Sequence, residues 1–445
     1  MAALLLCVAV PGVASDEYRP ADSGERARRL ALDFPHDDAA LRRQLDARLA
    51  GVTADDVERW AASGALGWTV IDGQRRWFHR AVGNLLLLAP DAAARVRTPS
   101  RTDDGPLYAL HPMHARWRAM AVEAAGADAE RRVIAVDPQV FEVTHTVTVD
   151  ADAVPSGEAL RVWIPFPRAI AGVQDQVDVV ATTPAGARLA SEVVLQRSAY
   201  FETTAVAGRA TVVSITYRVR TYTRVAHLDA GVGLALSVAE HSDLAEYLAE
   251  RPPHVVFHPE LRAFSARSIG DATAPVDVAR RLFDAVSAKP WAVAREYSTV
   301  DNLSLHALRQ PHADCGEKAM LLITLLRING IPARWQSGWQ LSPGTFDTMH
   351  DWLQAYLPPW GWVPLDPTHG PLASDDPALR HFYFGGLDGF RIAFNDDWGR
   401  AFDPAKTHPR SEPVDAQRGE VEWRGGNLYF DVWDYDVQWR RLSAR

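Results

Sequence analysis

Hydrophobic residues follow a helical spacing over the first part of the chain. Leu30, Leu41, Leu45 and Leu49 recur among charged residues, a pattern typical of amphipathic helices. The segment 69–78 alternates instead around a central glycine, which predicts a small hairpin. We predict a mostly helical N-terminal domain over residues 16–130. Because nothing in it points to chemistry, a structural cap is favoured over a substrate- or partner-binding module.

The spacing changes to that of β-strands between residues 133 and 225. Val213, Ile215, Tyr217 and Val219 share one face of an alternating segment, and residues 140–149 alternate in the same way. Several short strands separated by turns are typical of a sandwich. We therefore predict an antiparallel β-sandwich domain over residues 131–227.

Helical spacing returns in residues 228–400, where it is mixed with short strands. A helix is predicted to begin at Pro275, because proline is favoured in a first helical turn. Nearly every residue from 319 to 326 is apolar, which indicates a buried helix that ends at Asn329-Gly330. Residues 401–445 are predicted to add strands that pack on this core. The fold class is therefore α+β, with several domains in a chain of 445 residues.

Cys315 stands at the start of the predicted buried helix, directly after Asp314. The chain has two cysteines, and the other, Cys7, lies in an apolar N-terminal stretch. Unpaired N–H groups at a helix N-terminus favour a thiolate, so we expect the pKa of Cys315 to be lowered. A single cysteine can also be a small buried hydrophobe. The residues that follow favour a nucleophile.

His350 and Asp366 come next in the chain, each beside a short segment with strand character. The turn residues 358–361 lie between these segments. Adjacent antiparallel strands would place the imidazole next to the carboxylate, which could then fix the tautomer of the histidine. This order predicts a nucleophile, a base and an orienting carboxylate, as covalent catalysis requires.

At these residues the chain resembles the transglutaminase-like superfamily, a group of papain-like cysteine acyl-transfer enzymes. The resemblance covers roughly residues 270–370. The matching stretches are Asp314-Cys315-Gly316, Gly330-Ile331-Pro332-Ala333-Arg334, Gly338-Trp339, His350-Asp351-Trp352 and Gly361-Trp362-Val363-Pro364-Leu365-Asp366-Pro367. It implies a transglutaminase-like α+β core that acts on amide bonds of peptides or proteins through a thioester.

The resemblance also implies roles for individual residues. Cys315 corresponds to the nucleophile, His350 to the general base and acid, and Asp366 to the orienting carboxylate. Tyr297 is the candidate for the oxyanion site, because an upstream residue lines that site in similar proteins. Trp339 and Trp352 are candidates for substrate-binding walls.

One departure from the family concerns the residue after the cysteine. Animal crosslinking enzymes carry tryptophan there, whereas this chain has Gly316, as many bacterial relatives do. The departure favours hydrolysis slightly over transfer to an amine.

Composition and charge restrict the partners. A formal net charge of −9 argues against nucleic acid or an anionic membrane as the main partner. Residues 1–15 have the apolar stretch and small-residue site of a signal peptide, but lack its basic start, which is expected upstream. An apolar helix is the alternative. We expect an exported, periplasmic or secreted enzyme that acts on a peptide or protein, for example a cell-wall peptide.

Three alternatives remain open. The protein could crosslink proteins as a transglutaminase, or it could be a non-catalytic peptide-binding module. A metal site formed by His350, Asp366 and His369 is the third. Asp396 and Asp397 lack the ligand spacing of a calcium loop. We therefore expect no cofactor and no metal.

Overall fold

The structure is a computed structural model that describes residues 18–98, 111–126, 132–228, 234–341 and 349–443. The predicted signal peptide, with Cys7, lies outside the described residues. No helix in the described ranges combines the length and apolar character that crossing a bilayer requires.

The N-terminal region consists mainly of helices around its own hydrophobic core. Its hairpin turns at Asp72 and Gly73, both with positive φ, as a two-residue hairpin turn requires. The core contains Leu41, Leu45 and Leu85 among its buried residues. The elements of this region are α1 (Ser23–Asp33), α2 (Asp38–Arg48), α3 (Ala54–Ala62), β1 (Trp68–Ile71), β2 (Gln74–Trp77), α4 (Ala81–Leu88) and α5 (Pro90–Ala93). The next helix, α6 (His111–Ala125), packs instead on the strand that follows it, and its Trp117 and Ala121 belong to the main core of the protein.

Antiparallel strands form the second region. The long first and last strands pair along most of their length, and buried and less buried residues alternate in both. One face of each of these strands therefore packs in the core. The strands are β3 (Val133–Val149), β4 (Ala159–Pro165), β5 (Gln174–Thr183), β6 (Arg188–Leu189), β7 (Ser198–Thr204) and β8 (Thr211–Ala226).

The third region packs helices against a small antiparallel sheet. Its helices are α7 (Val238–Asp243), α8 (Pro259–Ile269), α9 (Pro275–Ser287), α10 (Leu303–Arg309), α11 (Cys315–Ile328) and α12 (Pro377–Arg380). The strands of this sheet are β9 (Ala333–Gln340), β10 (Met349–Leu357), β11 (Gly361–Leu365) and β13 (Arg391–Asn395), whereas β12 (Gly386–Leu387) pairs with β8.

Helix α11 is the centre of this region. Its apolar residues are buried on all sides, and Gly330, with φ of 73°, follows its end. It packs on β9 and β10 of a sheet with the strand order β11-β10-β9-β13. The sequence therefore places the first residue of a rigid buried helix beside the start of β10.

The C-terminal strands differ from the expectation that residues 401–445 pack on the third region. They are β14 (Glu420–Trp423), β15 (Gly426–Leu428) and β16 (Trp433–Leu442). Strand β16 pairs with β3, and β14 pairs with β4, so both complete sheets of the sandwich. The free edges of β3 and β4 supply backbone partners for them, which a sequence pattern does not reveal.

Buried polar contacts hold the N-terminal region against the third region. The Asn84 amide donates to the Val293 carbonyl over 2.8 Å and accepts from the Val293 N–H over 3.0 Å. Asp33 Oδ2 accepts from the Glu296 N–H and from the Thr299 hydroxyl. These contacts fix the segment 293–299, which lies next to Cys315.

Candidate active site

Cys315 is the first residue of α11 and is half-buried. Asp314 precedes it as the helix N-cap, and its Oδ1 accepts from the Glu317 N–H over 2.9 Å. The Glu317 carboxylate accepts in return from the Asp314 N–H, which completes a capping box. The local sequence therefore fixes where the helix begins and where the thiol lies.

The expectation of a lowered thiol pKa is wrong. Burial raises the pKa of Cys315 well above its ordinary value, and the nearby carboxyl groups of Asp351 and Asp314 raise it further. Desolvation and negative charge both disfavour a thiolate, and here they outweigh the helix N-terminus. A raised pKa favours the protonated thiol, so attack on a substrate requires a base that removes its proton.

Strands β10 and β11 bring His350 and Asp366 together. They pair with Leu353 opposite Leu365, and this register leaves the histidine diagonally across from the aspartate. His350 Nε2 lies 2.8 Å from Asp366 Oδ2, and both side chains are buried. The imidazole and its orienting carboxylate are thus held by the backbone pairing of two neighbouring strands.

Asp366 stays ionised although it is buried. Burial by itself would raise its pKa, but the charges of His350 and Arg391 hold that pKa well below the ordinary value. Arg391 Nη1 donates to Asp366 Oδ2 over 2.6 Å, and the Thr368 N–H donates to Oδ1 over 2.9 Å. The carboxylate is therefore saturated with hydrogen-bond donors.

The thiol itself contacts Asp351 rather than His350. Cys315 Sγ donates to Asp351 Oδ2 over 3.3 Å. Successive side chains of a strand point to opposite faces, so Asp351 reaches the thiol while His350 reaches Asp366. In the part of the chain that the structure describes, no hydrogen bond joins Cys315 to His350. Both residues nevertheless line one cavity.

This cavity has a volume of about 1000 Å³ and lies between three parts of the chain. Gln44 and Arg48 of α2 and Arg80 at the start of α4 form one wall. Cys315, His350 and Asp351 belong to the opposite side, and the C-terminal segment contributes residues from Glu412 to Arg418. The N-terminal region therefore reaches the thiol cavity, which a purely structural cap would not need to do.

Residues 262–367 match the family model described as the transglutaminase-like superfamily. The matched segment contains α9, α11, β9, β10 and β11, together with Cys315, His350 and Asp366. This segment is a transglutaminase-like core. Its fold is consistent with thiol-dependent acyl transfer.

Several solved structures are similar to part of this chain. A proposed cysteine protease from Cytophaga hutchinsonii is 15% identical, covers 70% of this chain and 94% of its own, and has a TM-score of 0.48. The periplasmic domain of TgpA from Pseudomonas aeruginosa is 16% identical over 52% of this chain and 88% of its own, with a TM-score of 0.28. Red sea bream transglutaminase is 13% identical over 72% and 63%, with a TM-score of 0.24. No curated protein matches the chain.

Tyr297 lies directly over the first turn of the transglutaminase-like core helix. Its hydroxyl donates to Asp314 Oδ1 over 2.8 Å, so its proton is engaged away from an oxyanion. A Cβ added at Gly316 would overlap the Tyr297 hydroxyl and approach Asp351 Oδ2 to 2.8 Å. Glycine after the cysteine is therefore what allows the tyrosine and Asp351 to come this close.

Trp339 and Trp352 are placed differently from the prediction of substrate-binding walls. Both rings are buried, and neither is among the described residues that line the cavity. Trp339 stacks on Tyr435, with ring centroids 6.0 Å apart. Trp352 stacks on His350 and donates from Nε1 to Gln336 Oε1 over 2.6 Å. Both rings are therefore part of the core, and the Trp352 ring packs against the imidazole of His350.

The alternative metal ligands do lie together. His350, Asp366 and His369 offer ligand atoms within 4.8 Å of one another. However, the Arg391 guanidinium already occupies Asp366 Oδ2, and its positive charge would repel a cation. Burial lowers the pKa of His369 to about 3, and its Nε2 bonds with the amide of Gln340. His350, Asp366 and His369 are therefore better suited to an ordered hydrogen-bond network than to binding a cation.

Sequence analysis missed three residues of the site. Arg391 holds Asp366, and Gln417 donates 2.9 Å bonds to the carbonyls of Gly338 and His350, which fixes the start of β10. Asp415 is buried, and after burial itself its charge is the main cause of the raised pKa of Asp351. Arg391, Gln417 and Asp415 lie outside the motifs, so no local pattern marks them, whereas Asp351 stands inside a motif beside the histidine.

Proposed function

We propose that the protein is a thiol-dependent acyl-transfer enzyme that acts on amide bonds of peptides or proteins through a Cys315 thioester. One observation carries this proposal above all. A thiol at the start of a buried helix shares a cavity with a histidine that is held by a buried, ionised carboxylate. These are the residue types that covalent amide chemistry requires.

The reaction has two halves. Cys315 Sγ attacks the substrate carbonyl, and the Cys315 N–H at the helix start is one donor for the oxyanion. His350, oriented by Asp366, takes the proton of the thiol as Sγ attacks and gives it to the leaving amine when the C–N bond breaks, so that the thioester remains. In the second half His350 takes a proton from water, which attacks the thioester, and gives it to Sγ when the C–S bond breaks and the acid is released.

Hydrolysis is favoured over transfer to an amine. A transferase must exclude water while an amine enters, which calls for an aromatic-walled tunnel. Trp339 and Trp352, the residues expected to form such walls, are buried in the core instead. The cavity is lined by charged residues from both sides, among them Arg48, Arg80 and Glu412, and this supports a hydrated peptide substrate.

The N-terminal region forms part of the substrate site in this proposal. Residues of α2 and α4 face the cavity, and the Asn84–Val293 contacts hold them there. For an exported enzyme, cell-wall peptides and secreted proteins are the substrates within reach. Protein crosslinking is the second candidate, because the same thioester can be opened by an amine.

The test incubates the protein with a library of glutamine-containing peptides, with and without a labelled primary amine, and follows the products by mass spectrometry. We expect cleaved peptide or free acid, with little incorporation of label. Dominant incorporation would make the protein a crosslinking enzyme. Cys315→Ala is the control, and turnover that survives in it would overturn the thioester mechanism. Tight peptide binding without any turnover would leave the non-catalytic alternative.

A further inference from the structure

One wall of the thiol cavity carries a half-buried arginine, Arg295. Its Nε is a buried atom without a hydrogen-bond partner, and within the described ranges no ion pair reaches its guanidinium. Burial lowers the pKa of Arg295, because the cation is partly removed from water. A partly desolvated charge without a counter-ion is unfavourable, and a bound carboxylate would offset that cost.

The acids nearest to Arg295 in the chain fold are engaged elsewhere. Among charged groups, Asp33 has the largest effect on the pKa of Arg295. However, Asp33 Oδ2 accepts from the Glu296 N–H over 3.2 Å and from the Thr299 hydroxyl over 3.0 Å. Burial raises the pKa of Asp33 to about 7, so a large share of this carboxyl is neutral near pH 7. Glu296 itself pairs with Arg418 over 2.9 Å. Asp33 and Glu296 therefore leave the charge of Arg295 available to a ligand.

A second arginine, Arg80, lines the same cavity from the N-terminal region. It precedes α4 and is exposed, and in the described part of the chain its side chain forms no hydrogen bond or ion pair. Asn84, one helical turn later, exchanges two hydrogen bonds with the backbone of Val293, which lies two residues before Arg295. This bridge places the two arginines on adjoining parts of the cavity wall.

The segment that carries Arg295 is also fixed to the start of α11. Two residues after it, the Tyr297 hydroxyl donates to Asp314 Oδ1 over 2.8 Å, and Asp314 directly precedes Cys315. Arg295 thus lies between a contact to α4 and a contact to the nucleophile's helix. A group held by Arg295 would share the cavity of about 1000 Å³ with the thiol, so one peptide could occupy both places.

The carboxyl groups on the opposite side oppose this positive charge only weakly. Burial raises the pKa of Asp351 and of Glu412 well above the ordinary value, which favours their neutral forms. The chain as a whole has a formal net charge of −9, which disfavours acidic ligands over most of its surface. Arg80 and Arg295 are therefore a local exception, placed where the substrate enters.

We propose that Arg80 and Arg295 form a subsite that binds a carboxylate of the substrate, so that the enzyme prefers acidic peptides. The inference rests on the proposed function and specifies its substrate class. A guanidinium offers a carboxylate two parallel N–H donors, which adds geometric specificity to affinity. The carboxylate belongs to an acidic side chain near the scissile amide or to the C-terminus of a short peptide. Both sources present the same group, and the test separates them.

The test uses a short glutamine-containing peptide with blocked ends and alanine at its other positions. One set replaces each alanine in turn by glutamate, a matched neutral set replaces it by glutamine, and a further peptide has a free C-terminal carboxylate. Values of kcat and KM are measured for wild type, Arg80→Gln, Arg295→Gln and the control Arg43→Gln. Arg43 is an exposed arginine of α2 that is not among the described residues lining the cavity.

We expect at least one acidic peptide to exceed its neutral counterpart by about 10-fold or more in kcat/KM, mainly through KM, because hydrogen bonds to charged groups are strong. Preference for a glutamate peptide would identify a side-chain carboxylate, and preference for the free C-terminus a terminal one. Arg295→Gln should remove most of the preference, and Arg80→Gln, at an exposed position, should reduce it about 3-fold. Arg43→Gln should keep it. Arg295→Lys should retain part of it, because the charge stays and the planar pair of donors is lost.

Equal kcat/KM values for acidic and neutral peptides in wild type would overturn the proposal. Loss of turnover in Arg295→Gln by the same factor for both peptides would also overturn it, since that result indicates a structural role. If Arg295→Gln does not fold, Arg295→Lys and Arg80→Gln decide by the same comparison of the two peptide sets.

A binding measurement separates the subsite from the proposed function. Full-length Cys315→Ala is titrated with the same peptides by calorimetry, with and without Arg295→Gln. Tighter binding of an acidic peptide, lost in the double variant, would support the carboxylate subsite even if no peptide were turned over by wild type. Equal or undetectable binding of both peptide sets would overturn the subsite, whereas turnover in Cys315→Ala would refute the proposed function alone.

Discussion

Gly316 offers the sharpest test of how the site is packed. In Gly316→Ala, the new Cβ would lie 2.7 Å from Tyr297 Cζ and 2.8 Å from Asp351 Oδ2, where ordinary contacts begin at 3.4 Å. Asp351 Oδ2, which accepts from the Cys315 thiol, must therefore move by about 0.6 Å. Tyr297 and Asp351 are both buried, so the substitution overpacks this part of the site.

The cost follows from two opposing effects. Overpacking a buried site costs about 1–3 kcal/mol. Alanine is favoured over glycine in a helix by at most about 1 kcal/mol. A net loss of about 1–2 kcal/mol remains, which lowers the thermal unfolding midpoint by roughly 2–8 °C. We also expect faster alkylation of Cys315 by iodoacetamide, because a displaced Asp351 raises the thiol pKa less.

Gly83→Ala is the matched control. Gly83 lies inside α4, and a Cβ added there meets nothing within 4 Å. This variant should gain about 0.5–1 kcal/mol from the reduced freedom of the unfolded chain. Tyr297→Phe in the Gly316→Ala background removes the overlapping hydroxyl and should restore part of the lost stability. Equal unfolding midpoints for Gly316→Ala and wild type, together with an unchanged alkylation rate, would refute this account of the packing.

Three further predictions concern the supports of the site. Arg391→Met removes the guanidinium that neutralises the buried carboxylates of Asp366 and Asp388, so it should cost about 3–5 kcal/mol and abolish peptide turnover; a wild-type melting curve with full turnover would contradict it. Gln417→Ala frees the start of β10 and should lower turnover about 10-fold or more with little change in unfolding; unchanged turnover would show that this bridge is dispensable. Burial, followed by the charge of Glu296, raises the pKa of Asp33 to about 7 from 3.8, so folding stability should fall as pH rises between these values. Asp33→Asn should remove this decline in melting experiments between about pH 4 and pH 8, and an identical slope in both proteins would disprove it.

Local patterns in the sequence were sufficient for the elements that carry the motifs. The start of α11 depends on Asp314 and Glu317, which cap the helix through contacts three residues apart. The approach of His350 to Asp366 depends on one short turn between adjacent strands. Such contacts are encoded within a few residues of each other, so spacing and residue type predict them.

The contacts that sequence analysis missed join distant parts of the chain. Arg391 reaches Asp366 from a strand 25 residues away, and Gln417 reaches the His350 carbonyl across 67 residues. The tryptophans were misplaced because a large aromatic suits a cleft and a core equally well. The thiol pKa was misjudged because burial and two carboxyl groups depend on tertiary packing, whereas the helix end is visible in the sequence.

Because the last strand, β16, pairs with β3 of the sandwich, the domains of this protein are not simple to express as separate fragments. A fragment of residues 131–227 would expose the edge of the 17-residue strand β3, which β16 otherwise covers through ten paired positions. The unpaired backbone groups of a long edge strand can form hydrogen bonds with strands of other chains, which leads to aggregation. We therefore expect the sandwich to aggregate when it is expressed as a separate unit, and truncation of the final thirteen residues should have the same effect on the whole protein.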